Sequence, residues 1–204
     1  MLTEYQPHKY KLTFDAPCKV YLTCLSNLSL LKNPKINANM TEIYFMATRV
    51  ETFQAFCERI RDITYETALN MVSSLVYLIQ GLEQLKHTFY ALDTDHIFVI
   101  ESCVFLYTGV HYCIPISDTG LVKLYTPFSH KKTIFFSPEI ETICVLPATV
   151  SKKSIYYSLA KWVSTYLFPY ANQDIMQPIM QSKLYWFLLK NKSINVQERN
   201  LYWI

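Results

Sequence analysis

Glycine is scarce in this chain: Gly81, Gly109 and Gly120 are the only three in 204 residues, and none precedes position 81. A backbone cradle for phosphates relies on glycine's freedom in φ and its missing Cβ. No glycine-rich phosphate loop can therefore be built in the first 80 residues. Acidic residues are missing from 16–41, so Lys19 has no carboxylate partner in the stretch that follows it and reads as a solvated edge-strand lysine. The six cysteines, at 18, 24, 57, 103, 113 and 144, include no C-x-x-C pair. Cys57 and Cys103 fall on apolar runs and read as small buried hydrophobes. His111-Tyr112-Cys113 lacks the second ligand pair that a zinc site requires. No long hydrophobic run is present either. MLTEYQPHKY has no apolar signal core, and the longest helical apolar block, LNMVSSLVYLI, is too short to cross a bilayer. A reducing, cytoplasmic setting with no membrane partner is the expectation. The net charge is only +3, which argues against a nucleic-acid partner, since such proteins concentrate a stronger basic excess on one face.

What the chain has in quantity is apolar and aromatic side chains. Hydrophobic residues make up 51% of it, with 16 tyrosines and 12 phenylalanines, a composition that buries a real core and excludes disorder. Residues 10–25 read as two β runs broken at Ala16-Pro17, and SNLSLLKNPKINANM as a loop or short helical turn. TEIYFMAT returns to β character. Phe53, Phe56, Cys57 and Ile60 share one face of a short helix. A longer helix is expected from about Tyr65 to Lys86, capped by Asp62 or Thr64, with Ala68, Leu69, Val72, Leu75, Val76, Ile79 and Leu82 as its apolar stripe. A hairpin, IFVI–ES–CVFLY, follows. Residues 114–150 carry Pro115, Pro127, Pro138 and Pro147, which predicts irregular chain there, of the kind that is usually functional. Helical patterning resumes at SIYYSLAKWVSTYLF, ended by Pro169, and again at SKLYWFLLK. The aromatic tail VQERNLYWI is expected to dock on the body.

One segment concentrates the functional question: FYALDTDHIFVIESCVFLYTG, Phe89 to Gly109. Two aspartates and a histidine lie before a hairpin that ends in glycine. In order along the chain, the helix–loop–hairpin run 69–109, Phe136-Ser137-Pro138-Glu139, Tyr157-Ser158-Leu159-Ala160 and Gln197-Glu198-Arg199 resemble motifs of the protein kinases. These are, respectively, the catalytic loop with its metal-binding hairpin, the A-P-E, the W-S-L-G of the central helix and the closing E-x-R. The resemblance covers roughly residues 42–204, and the wording of KLYWFLL is similar to short Ser/Thr kinase-like proteins of large DNA viruses. It implies an α+β, protein kinase-like fold: a reduced N-terminal β region at 1–48 and a mostly helical C-terminal lobe at 49–204.

Phosphoryl transfer is mainly positioning and charge neutralisation, and the residues that perform it are missing. The catalytic aspartate position is Ala91, which cannot accept a proton. The metal-binding asparagine position is His96, a poor donor for Mg²⁺, which prefers hard oxygens. The metal-binding aspartate before the glycine is Tyr107, whose phenol is neutral near pH 7. Asp93 and Asp95 are candidate substitutes, or a solvated turn ahead of a strand. Ile155 stands where the family has a buried aspartate that anchors the catalytic-loop backbone. Glu139 and Arg199, by contrast, match a buried ion pair of the family. The resemblance thus implies a catalytically inactive kinase-like scaffold or regulator, with no cofactor or metal. Its cleft would be open or filled by Tyr90 and Tyr107. Its partner would be a protein, met by residues 114–150 and by two basic segments, Lys131-Lys132 with Ser129 and His130, and Lys152-Lys153 with Ser151. The alternatives are a divergent active Ser/Thr kinase using Asp93 or Asp95, and a structural or accessory component of a virion.

Overall fold

The computed structural model describes residues 1–129, 131–168 and 179–202. His130, Pro169 and the last two residues of the tail lie outside them, so the expectations placed on those positions are not followed further.

The chain opens with β1 (Leu2–Gln6) and β2 (Lys9–Thr13), then α1 (Lys19–Asn27), β3 (Lys32–Ile36) and β4 (Glu42–Met46). The strands form one antiparallel sheet in the order β1-β2-β4-β3. Strand alternation buries Tyr10 and Leu12 from β2 and Ile43 and Phe45 from β4. Two expectations fail here. The second half of the expected hairpin is helical, because Tyr21, Leu22, Cys24 and Leu25 form a buried helical face. Packing of that face outweighs the strand preference of Val20, Tyr21 and Thr23. The expected loop contains β3, which tolerates Pro34 because β3 is an edge strand.

Next come β5 (Val50–Thr52), α2 (Phe53–Ile60) and α3 (Tyr65–Gln84). Thr64 caps α3, its hydroxyl accepting from the Thr67 amide at 3.2 Å. The predicted stripe of α3 is buried, Leu69 only partly so. Gly81 permits a close crossing of α1: a Cβ there would lie 2.8 Å from the Cys24 sulfur.

Beyond α3 lie β6 (His87–Phe89), β7 (Leu92–Asp93), β8 (Ile97–Ile100), β9 (Val104–Tyr107), β10 (Cys113–Pro115), β11 (Leu121–Leu124), β12 (Ile134–Phe135), α4 (Pro138–Glu141) and β13 (Ala148–Ser151). α5 (Ser154–Leu167) and α6 (Lys183–Asn191) follow among the described residues. β8 and β9 form the expected hairpin, extended by β5, and β6 pairs with β10, β7 with β12 and β11 with β13, all antiparallel.

This arrangement corrects the expected fold class. A mostly helical, kinase-like region was anticipated for 49–204, yet four small antiparallel sheets occupy it, three of them drawing strands from 113–151. The molecule is a mixed α/β structure with several small sheets. The prolines misled because they sit where strands and helices begin or end. Pro115 closes β10, Pro138 is the first residue of α4, and Pro147 precedes β13. The hydrophobic core is continuous, running from Tyr10 in the first sheet to Leu201 near the end.

Candidate functional site

Backbone pairing places the segment 89–109 at the centre of the molecule. β6 and β7 bring Ala91 and Asp93 beside the end of β9, where Tyr107 points inward and is 1% exposed. The Tyr107 hydroxyl donates to the Ala91 carbonyl at 3.1 Å and accepts from the Asp93 amide at 3.2 Å. Its ring meets Phe89 edge-on with centroids 4.7 Å apart. The Tyr107 carbonyl in turn accepts from the Tyr21 hydroxyl of α1 at 2.5 Å. Burial holds the Tyr107 phenol well above its usual pKa, so it stays a protonated hydrogen-bonding group. The Tyr107 hydroxyl thereby anchors the 91–93 backbone, and Ile155 is a fully buried core residue. A Cβ at Gly109 would overlap the Tyr107 phenol, which is why the residue after Thr108 has no side chain.

Asp93 differs from the solvated turn expected for it: it is 3% exposed. One carboxylate oxygen accepts from the Asp95 amide at 3.1 Å and the other from the Tyr112 hydroxyl at 3.4 Å. Burial and Asp93 both push the Tyr112 phenol upward. Asp95 is exposed and accepts from the Thr133 hydroxyl at 3.4 Å. His96 lies 4.0 Å from Asp93 and packs edge-on against His111, centroids 4.8 Å apart. Tyr107 thus meets Ala91 and Asp93 directly, and His96 lies beside the same buried aspartate. No group of three His, Cys, Asp or Glu that could hold a metal ion occurs among the described residues.

Glu139 and Arg199 form a bidentate pair, at 2.6 and 3.1 Å. Arg199 also donates to the Ser193 carbonyl at 2.9 Å and lies over the Tyr157 ring at 5.0 Å. Ser154 donates to Glu139 at 2.8 Å. Burial alone would raise the Glu139 carboxyl, but hydrogen bonds from Arg199 and Ser154 bring it below its usual value.

The four lysines separate into two kinds. Lys152 binds Glu83 of α3 at 2.6 Å, and Tyr156 donates to the same carboxylate at 2.5 Å. Lys153 donates to the Gln197 carbonyl at 3.0 Å. These two fasten the start of α5 to its neighbours, whereas Lys131 and Lys132 are exposed.

A cleft of about 830 Å³ opens between the β2–α1 turn and the segment 96–113. Phe14, Val20, Phe98 and Val110 give it apolar walls, and Asp15, Lys19, His87, His96 and His111 line it as well. Neither Tyr90 nor Tyr107 fills it. Lys19 is exposed in the first turn of α1 and is not part of a strand. Sequence reasoning missed Tyr21 and set His111 and Tyr112 aside as part of an incomplete metal motif, because their roles depend on contacts with distant parts of the chain. Compared with protein-family models and with curated proteins, the chain matches none. No helix among the described residues is long and apolar enough to cross a membrane.

Proposed function

We propose that this chain is a catalytically inactive binding protein whose partner is another protein. One observation carries the reading: the Tyr107 hydroxyl is committed to the Ala91 carbonyl and the Asp93 amide. The position at which the kinase-like motif would supply a metal-binding carboxylate instead holds a neutral phenol that braces the loop. Ala91 offers no base, and the buried Asp93 is engaged by Tyr112 and the Asp95 amide. The kinase resemblance enters this proposal at the level of those residues and not of the fold.

Partner binding is supported by what the surface presents. Trp186 and Leu189 lie one turn apart on α6, each 49% exposed, and large exposed aromatics of this kind are enriched at interfaces. Lys131 and Lys132 add exposed positive charge. A reducing cytoplasm, of a host cell if the chain is viral, suits six unpaired cysteines.

The test is a thermal-shift titration with millimolar ATP, with and without Mg²⁺ or Mn²⁺, alongside a phosphoryl-transfer assay. Any ligand that binds only the folded state must raise the melting temperature. The expected result is no metal-dependent shift and no transfer. A metal-dependent shift lost in Asp93→Asn or Asp95→Asn overturns the proposal in favour of a divergent kinase. Partner capture unchanged by both Trp186→Ala and Lys131→Glu/Lys132→Glu removes these surfaces from it. Co-purification with particles would make the chain a virion component.

A further inference from the structure

The cleft beside α1 has the dimensions of a small-molecule site. Pockets for such ligands run to roughly 300–1,000 Å³ with mainly apolar walls and a few convergent polar groups, and this one measures about 830 Å³. Phe14, Val20, Phe98 and Val110 supply the apolar surface. Its charged lining is unbalanced: Lys19, the Met1 ammonium and three imidazoles, His87, His96 and His111, face a single carboxylate, Asp15, while burial keeps Cys18, Tyr21 and Cys113 protonated. Lys19 is exposed and makes no ion pair among the described residues. The same wall carries the first turn of α1, which has no side-chain cap and no acidic residue, so its amides leave the wall electropositive.

We propose that this cleft binds a small amphipathic organic anion without a metal ion. Its apolar body lies against Phe14, Val20, Phe98 and Val110, and its acidic group sits beside Lys19 and the first turn of α1. One carboxylate, Asp15, is too few hard oxygen donors for a bridging Mg²⁺ or Ca²⁺, and no three His, Cys, Asp or Glu converge as metal ligands among the described residues. Binding is also tied to pH. Burial and the neighbouring His96 lower the His111 pKa, with Asp93 opposing and Lys131 reinforcing that effect. His111 is therefore mainly neutral at pH 7 and gains its charge only as pH falls through a value below 6.5, when an anion in the cleft is held more firmly.

The probe is 8-anilinonaphthalene-1-sulfonate, an aromatic ring system carrying one sulfonate, titrated by fluorescence in EDTA at pH 7.5 and pH 5.5. The expected result is one saturable equivalent, bound more tightly at pH 5.5, and roughly threefold to tenfold more weakly by Lys19→Glu. Lys19 is exposed at the helix start, so its replacement leaves the fold intact, which the melting temperature checks. In the wild-type protein, the imidazole C–H proton resonances of His96 and His111 should shift on addition of the probe. Unsaturable binding, affinity unchanged in Lys19→Glu, or histidine resonances that do not move would each overturn the proposal.

Discussion

At Glu139 and Arg199 a single pair of charges joins α4 to the chain that follows α6. Removing one partner leaves the other charge buried, a cost of roughly 3–5 kcal/mol. Glu139→Gln strands the fully buried Arg199 charge and should therefore lower the melting temperature sharply, with Arg199→Met milder because the Glu139 it leaves behind is partly exposed. The pair also sets a pH dependence. The Glu139 carboxyl is lowered in the folded protein, so its contribution is complete above the ordinary value of 4.5 and is lost as pH falls through the lowered one. Glu139→Gln, which starts from lower stability, should unfold at higher pH than the wild type, and its stability should fall less steeply below pH 4.5 because that carboxyl no longer titrates. Tyr107→Phe leaves the Ala91 carbonyl and the Asp93 amide without their hydroxyl, at about 1–3 kcal/mol, which urea denaturation would measure. Glu139 and Arg199 were legible in the sequence because motif order marks them. Asp93 was not: a two-residue strand surrounded by aspartate and threonine looks like a surface turn until β12 covers it and Tyr112 bonds it.

Elements were readable in proportion to their length and periodicity. α3, with its long stripe and its Thr64 cap, lies where the spacing puts it, and so does the β8–β9 hairpin. α1 was misread as strand because Val20, Tyr21 and Thr23 favour strand and the helical spacing of Tyr21, Leu22, Cys24 and Leu25 is too short to stand out within nine residues. That partnership makes a prediction about Gly81. In an isolated helix, Gly81→Ala would stabilise by roughly 1 kcal/mol. Here the added methyl would meet the buried Cys24 sulfur at 2.8 Å, and overpacking costs about 1–3 kcal/mol. Gly81→Ala should lower the melting temperature, and Cys24→Ala on the same background should recover part of the loss. A double-mutant cycle would show the coupling as non-additivity.

Across the whole molecule, the small sheets that draw strands from 113–151 were the part least visible in advance. Strands of two to four residues cannot show alternation, and the prolines that bound them mimic a loop. The continuous core predicts how the whole unfolds. Far-UV circular dichroism, which weighs all elements, and the fluorescence of the buried Trp162 should follow one shared thermal transition. A separate early transition in circular dichroism alone would mean that the first sheet melts by itself.

The hydrogen bond from Tyr21 to the Tyr107 carbonyl, with the Gly81–Cys24 crossing, has a consequence for motion. α1 is fastened both to the central hairpin and to the longest helix, so the two walls of the cleft are parts of one stiff frame. Whatever enters is selected by fit to a gap of fixed width, and entry and exit should be quick, single-step events with no slow closing phase. Tyr21→Phe would loosen that frame, and stopped-flow traces that gain a second phase in the variant would register it.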